Sequence, residues 1–133
     1  MDVLLIDDEY AFLDVLLKRL RKRGIKAISA NSGESGLSAL SEYRVDVVVL
    51  DVCMPEMDGL KTLKKIKQRW PLIEVILLTG HASVKAAREG MDKGAFDYLM
   101  KPVDINELVY KLEDAYGKAQ FLTKKNGLKK GGD

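Results

Sequence analysis

Apolar residues along the chain form two alternating kinds of segment. Short runs rich in Val, Ile and Leu are typical of buried strands in a parallel sheet, and longer segments with apolar residues three and four positions apart are typical of amphipathic helices. Strands are predicted to begin near residues 2, 26, 45, 74 and 96, and helices are predicted at 9–23, 34–43, 60–70, 83–93 and 104–119. This alternation requires parallel strands with right-handed crossovers, so the sequence predicts a doubly wound α/β domain.

The predicted helices end and begin at residues that favour those positions. Gly24 and Gly94 follow the first and fourth helices, and Pro71 follows the third. Asp104 precedes the last helix, with Glu107 three residues later, which is a capping-box pattern. These signals support the element boundaries independently of the apolar periodicity.

The most informative stretch is residues 45–59, which reads VDVVVLDVCMPEMDG. The β-branched run at 47–50 fits a central strand covered on both faces, and it ends on Asp51. Met54-Pro55 and Asp58-Gly59 are turn signals, and Asp58 can also cap the next helix. A carboxylate at the tip of a buried strand lies where doubly wound folds bind ligands, but a lone Asp there can equally well just end a strand.

The other strand ends favour a functional site. Asp7 and Asp8 follow the first strand, Thr79 ends the fourth, and Lys101 ends the fifth. If the first and third strands are neighbours, these two acids converge with Asp51 at one edge of the sheet. Oxygen ligands without a His or Cys pair favour Mg²⁺ or Mn²⁺, while the hydroxyl and the ammonium suit a phosphoryl group. The residues therefore predict attack by a carboxylate on phosphorus.

Four segments of the chain carry recognisable motifs: LLIDDE (Leu4–Glu9), VLDVCMPEMDG (Val49–Gly59), LLTGHAS (Leu77–Ser83) and DYLMKPVD (Asp97–Asp104). Together they resemble the receiver domain of two-component response regulators, the CheY-like family. The resemblance spans residues 1–119 and implies a five-stranded, flavodoxin-like sheet of order 2-1-3-4-5 with helices on both faces. Residues 120–133, rich in Lys and Gly, are predicted to be a flexible tail or a truncated linker.

The resemblance also implies a phosphoacceptor and a metal site. Asp51 would accept a phosphoryl group from a phosphohistidine of a sensor histidine kinase. Asp8 would bind Mg²⁺ directly, and Asp7 would assist through water or a hydrogen bond. Cys53 would contribute its backbone carbonyl, so its thiol would not be a ligand.

By the same resemblance, Thr79 and Lys101 would contact the phosphoryl group, and Tyr98 would be an aromatic switch that moves inward with Thr79. The Lys101–Pro102 peptide bond would be cis. The surface of the fourth helix, fifth strand and fifth helix would then change shape, to control a partner, an output domain or a homodimer. The alternative for Tyr98 is an ordinary strand residue with its hydroxyl in water.

Composition narrows the class of protein further. The chain of 133 residues has 47% hydrophobic and 32% charged residues, as expected of one globular domain. Five lysines and one aspartate give residues 118–133 a charge of +4, so the remainder carries −2 and gives no electrostatic case for nucleic-acid binding. A single cysteine, no signal peptide and no membrane-spanning apolar run favour the cytoplasm.

Two other classes share part of this pattern. A haloacid-dehalogenase-like phosphatase also phosphorylates an Asp at a strand end, but its general acid would stand where this chain has Cys53. A flavodoxin-like cofactor binder would need a phosphate-binding loop where the chain has the acidic segment Asp7–Glu9. A signalling switch is therefore expected rather than an enzyme. LLTGHAS resembles receivers attached to transcriptional activators, while the kinase and the output remain open.

Overall fold

The structure is a computed structural model and describes residues 1–53 and 59–126. Its strands and helices alternate along the chain as the apolar pattern predicts. A short 3₁₀ helix, His81–Ser83, precedes the fourth α-helix. The elements are β1 (Asp2–Ile6), α1 (Tyr10–Lys22), β2 (Lys26–Ala30), α2 (Gly33–Glu42), β3 (Val47–Asp51), α3 (Gly59–Arg69), β4 (Glu74–Thr79), α4 (Val84–Asp92), β5 (Asp97–Met100) and α5 (Ile105–Asn126).

The five strands form one parallel sheet in the order β2-β1-β3-β4-β5, which confirms the predicted fold. β3 lies in the middle, and all five of its residues are buried. In the register of the sheet Ile6 is opposite Leu50, and Asp51 is opposite Leu78. The residues that follow β1, β3, β4 and β5 therefore meet at one edge, called here the carboxyl edge.

Helices cover both faces of the sheet. On one face α1 and α5 pack against alternate strand residues, and their fully or nearly buried contacts include Leu20 and Leu112. On the other face α2, α3 and α4 pack against the intervening strand residues, with Leu63 and Ile66 of α3 at the centre. Because β3 is covered on both sides, its uninterrupted apolar run follows directly from its position.

Two glycines have different structural reasons: Gly36 allows close packing, and Gly24 adopts a positive φ. Gly36 of α2 lies over Ile6, and a Cβ at this position would be 2.4 Å from the Ile6 Cδ1 atom. Gly24 follows α1 with φ +77°, a backbone conformation that favours glycine.

Asp104 caps α5, because its carboxylate accepts hydrogen bonds from the backbone N–H groups of Asn106 and Glu107 at 2.8 and 3.3 Å.

The last helix is longer than predicted. The sequence places its end near Ala119, but α5 continues to Asn126, so residues 120–126 are helical rather than a flexible tail. The extension is stabilised by contacts one turn apart: Thr123 donates a hydrogen bond to the carbonyl of Ala119 at 2.8 Å, and Leu122 is partly buried. A domain boundary at residue 119 remains a prediction, and residues 127–133 lie outside the described ranges.

The turn predicted at Met54-Pro55 and the helix cap predicted at Asp58 also lie outside the described ranges. Among the helices that the structure describes, none combines the length and the apolar character needed to cross a membrane.

Candidate functional site at the carboxyl edge

The end of β3 places Asp51 in a buried position at the centre of the carboxyl edge. The residue is 4% exposed, and its Oδ1 atom accepts a hydrogen bond from the backbone N–H of Cys53 at 3.1 Å. The backbone N–H of Val52 donates to the carbonyl of Leu78 at 3.1 Å, which extends the strand pairing past Asp51. The carboxylate is therefore held on a rigid part of the sheet.

The loop that follows β1 brings two more carboxylates to the same place. Asp7 is 1% exposed, while Asp8 is exposed at the surface. A ligand oxygen from each of Asp7, Asp8 and Asp51 lies within 4.8 Å of the other two. We call these three residues the acidic cluster. The structure thus brings together the three acids that the sequence assigned to one edge.

Lys101 reaches the acidic cluster from the end of β5. Its Nζ atom donates a hydrogen bond to Oδ2 of Asp7 at 2.8 Å, and it lies 3.2 Å from Oε1 of Glu9 and 3.8 Å from Oδ2 of Asp51. The ammonium group also lies 4.4 Å from the centroid of the Phe12 ring, a cation–π contact. The Lys101–Pro102 peptide bond is cis, as the resemblance implies.

Opposing effects of the surroundings act on the pKa of the Asp51 carboxyl. Burial raises the pKa of its carboxyl above the ordinary value, and the charges of Asp7 and Asp8 add to that effect, while the Cys53 N–H and Lys101 oppose it. For Lys101, burial would lower the pKa of the ammonium, but its hydrogen bond to Asp7 and the charge of Asp51 outweigh burial and raise it. The acidic cluster with Lys101 as its neighbouring cation keeps a net negative charge, so the site favours binding of a further cation.

Thr79, the last residue of β4, is completely buried. In the sheet it lies one position beyond Leu78, the residue opposite Asp51, so it is next to the acidic cluster. Its hydroxyl lies 2.5 Å from the hydroxyl of Ser83 and 3.0 Å from the carbonyl oxygen of Gly80. The predicted hydroxyl is therefore present at the edge, and it is engaged within its own loop.

Tyr98 is partly buried in β5 and packs against the apolar cluster beneath α3 and α4. Its Cα partner in the sheet is Leu77, which is two residues before Thr79 in β4. Since strand side chains alternate between faces, Tyr98 and Thr79 lie on the same face of the sheet. Coupled movement of the Thr79 and Tyr98 side chains would require such a placement on one face.

The sequence assigns no site role to two residues that lie near the site. Ser83 is predicted to begin a helix, and the structure pairs its buried hydroxyl with that of Thr79. Gly59 is predicted to be a turn residue, and in the structure a Cβ there would lie 2.5 Å from the Val52 Cα and 2.8 Å from the Asp51 carbonyl oxygen. The Asp58-Gly59 pair was the available signal, but the close approach depends on how α3 packs.

A doubly wound parallel sheet with an acidic cluster, a lysine and a buried threonine at its carboxyl edge is the arrangement expected of a receiver domain. The response regulator receiver domain family matches residues 3–113, and the chain belongs to that family. A phosphorylation-dependent switch is the general function of this family, which favours signalling over catalysis.

Relatives and solved structures agree with this assignment. The chain is 42% identical over 115 residues to the transcriptional regulatory protein ZraR of Escherichia coli K12, covering 86% of this chain and 26% of that protein. It is 42% identical over 113 residues to the DNA-binding transcriptional regulator NtrC of Salmonella typhimurium, covering 85% and 24%. A receiver domain protein from Clostridium thermocellum superposes with a TM-score of 0.87 and 35% identity, covering 91% and 98%.

The chain spans about a quarter of the length of the curated relatives that it matches. The matched part is the receiver domain, so the DNA-binding and regulatory activities in the names of those relatives describe the larger proteins.

Proposed function

We propose that Asp51 is the phosphoacceptor of this domain and that it receives its phosphoryl group from a phosphohistidine of a sensor histidine kinase. In the transfer, a bond forms between an Asp51 carboxylate oxygen and phosphorus, and the bond between phosphorus and the histidine nitrogen breaks. The observation that carries this proposal is the placement of Asp51 at the buried end of the central strand, within 3.8 Å of Lys101 and beside two further acids.

The acidic cluster fits a hard divalent cation. Its ligand atoms are carboxylate oxygens that converge within 4.8 Å, which is the chemistry that Mg²⁺ and Mn²⁺ prefer. We assign Asp8 and Asp51 as direct ligands together with the backbone carbonyl of Cys53, and Asp7 as a residue that assists. When bound, the cation would neutralise charge on the phosphoryl group.

The neighbouring polar groups have distinct proposed roles. The Lys101 ammonium would pair with a phosphoryl oxygen, because it already lies between the carboxylates of Asp7 and Asp51. The Thr79 hydroxyl would donate a hydrogen bond to another phosphoryl oxygen. Movement of Thr79 would leave space for Tyr98, which lies on the same face of the sheet.

The proposed output of this movement is a change in the surface of α4, β5 and α5. That surface includes Lys85, Arg88, Glu89 and Asp92 of α4, a mixed-charge set that suits a homodimer or an attached output domain. Because the similar relatives ZraR and NtrC are transcriptional regulators about four times as long as the matched part, control of transcription is the proposed pathway. A reducing compartment, the cytoplasm, is the proposed location.

The direct test is phosphorylation by acetyl phosphate in the presence of Mg²⁺, followed by intact-protein mass spectrometry. One phosphoryl group should be added to the native protein, and hydroxylamine should remove it because it is an acyl phosphate. Asp51→Asn should not be labelled, whereas Asp114→Asn, an exposed acid on α5, should be labelled like the native protein. Labelling of Asp51→Asn at the native rate would refute the assignment.

A further inference from the structure

One buried hydroxyl connects Thr79 to the beginning of α4. Ser83 is 6% exposed and is the residue immediately before that helix. Its Oγ atom lies 2.5 Å from the Thr79 hydroxyl oxygen and accepts a hydrogen bond from the backbone N–H of Gly80 at 3.1 Å. Its backbone N–H donates to the carbonyl of Gly80, also at 3.1 Å. Ser83 therefore closes the turn between β4 and α4 and engages Thr79 through the same atom.

The hydroxyl groups of Thr79 and Ser83 share a limited supply of partners. Each hydroxyl has one proton to donate, and the acceptors within reach are the other hydroxyl and the Gly80 carbonyl, at 3.0 Å from Thr79 and 3.3 Å from Ser83. Both side chains are buried, so a hydroxyl that loses its partner there costs free energy. Because the Thr79 hydroxyl has a single proton, it cannot donate to a phosphoryl oxygen on Asp51 while it donates to Ser83 or to the Gly80 carbonyl.

We propose that Ser83 is a positioning residue for the switch: it holds the Thr79 hydroxyl away from Asp51 in the unphosphorylated protein. Release of Thr79 then frees the Ser83 hydroxyl, which changes the hydrogen bonding of the turn that leads into α4. This inference rests on the proposed function of Asp51 and Thr79. It adds a connection from the phosphoacceptor to α4 that does not pass through Tyr98, because Ser83 contacts Thr79 directly and Tyr98 lies on the next strand.

The contact predicts that removing the Ser83 hydroxyl favours the active state. In Ser83→Ala the Thr79 hydroxyl loses a partner only in the unphosphorylated form, so binding of the phosphoryl analogue beryllofluoride with Mg²⁺ should tighten by about two- to tenfold. Ser83→Thr keeps a hydroxyl and should bind like the native protein. Ser41→Ala, which removes an exposed hydroxyl on α2, is the matched control and should have no effect.

A double-mutant cycle separates this role from a general effect on the turn. In a Thr79→Ala background, Ser83→Ala should no longer change the affinity, because the contact is already absent. Affinity should be measured by calorimetry, and the amide NMR shifts of residues 80–92 should report the turn and α4. Unchanged or weaker binding in Ser83→Ala, or a full effect in the Thr79→Ala background, would overturn the inference.

The same experiment distinguishes failure of this inference from failure of the proposed function. If the native protein binds beryllofluoride and Asp51→Asn does not, the phosphoacceptor is established regardless of Ser83. If Asp51→Asn binds it as the native protein does, the proposed function is wrong and the inference falls with it.

Discussion

Lys101 and Asp7, 94 positions apart in the chain, form the shortest ion pair that the described residues make at the carboxyl edge, with Nζ 2.8 Å from Oδ2. The other oxygen of Asp7 accepts a hydrogen bond from the backbone N–H of Glu9 at 3.0 Å. Both oxygens of Asp7 are therefore engaged by the protein, whereas Asp8 is exposed to solvent. The two adjacent acids thus have different environments, and we expect different contributions to metal binding.

The first prediction concerns Mg²⁺ affinity. Asp8→Ala removes a proposed direct ligand and should weaken Mg²⁺ binding by about tenfold or more, while Asp7→Ala should weaken it less. Isothermal calorimetry of each variant measures the difference, with Asp14→Ala, an exposed acid on α1, as the control. Equal affinities in all three variants and the native protein, or a larger loss in Asp7→Ala, would contradict the assignment of Asp8 as the direct ligand.

The second prediction concerns stability and pH. Because burial raises the pKa of Asp51 in the folded protein, the folded state holds this proton to higher pH than the unfolded chain does. The stabilisation that the protonated Asp51 gives to the folded state is present at low pH, and it is lost as the pH rises through the pKa of Asp51 in the folded protein. In Mg²⁺-free buffer, Asp51→Asn should therefore unfold at a higher temperature than the native protein at neutral pH.

The difference in melting temperature between Asp51→Asn and the native protein should narrow as the pH falls from about 8 to about 4, which is near the ordinary pKa of an aspartate. Added Mg²⁺ should raise the melting temperature of the native protein more than that of Asp51→Asn. A gap that stays constant over this pH range would mean that ionisation of Asp51 is not its cause.

The third prediction concerns the contact between α3 and the end of β3. Gly59→Ala would place a Cβ 2.5 Å from the Val52 Cα, so either α3 or the Asp51 segment must move. We expect a loss of about 1–3 kcal/mol in the free energy of unfolding, together with slower phosphorylation of Asp51. Gly117→Ala, at an exposed helical glycine with open space around it, should instead stabilise the protein by about 0.5–1 kcal/mol. Native phosphorylation and stability in Gly59→Ala would show that the close approach is unimportant.

The fourth prediction concerns a buried carboxylate at the opposite edge of the sheet. Glu74, the first residue of β4, is 3% exposed and lies 3.3 Å from Nζ of Lys67 on α3 and 3.1 Å from Nζ of Lys118 on α5. Removing Lys67 leaves the buried Glu74 carboxylate with Lys118, whose side chain is 52% exposed, as its ion-pair partner among the described residues. Lys67→Ala should therefore lower the free energy of unfolding by about 3–5 kcal/mol.

Lys118→Ala should lower it by only about 0–1 kcal/mol, because the side chain of Lys118 is 52% exposed. Urea unfolding of both variants gives these values. If Lys118→Ala costs as much as Lys67→Ala, the ion pair with α5 contributes more than its exposure implies.

The strand order was an implication of the family resemblance, but the sequence by itself determined that the strands are parallel and which residues lie at their carboxyl ends. Both follow from local patterns: apolar runs predict strands, helical spacing predicts the crossovers, and parallel strands bring their ends together. Asp7, Asp8, Asp51, Thr79 and Lys101 could therefore be placed at one edge without coordinates. The phosphoacceptor role came from the resemblance and still awaits the phosphorylation test.

Only the tertiary structure decided which of these side chains engage one another. The Lys101–Asp7 pair, the Thr79–Ser83 contact and the fit of Gly59 against β3 depend on side-chain conformations and helix packing, which no local pattern specifies. The end of α5 was missed for a related reason. Residues 120–126 have little apolar periodicity, and their helix is extended by single contacts such as Thr123 with Ala119, which appear only once the preceding turns are packed.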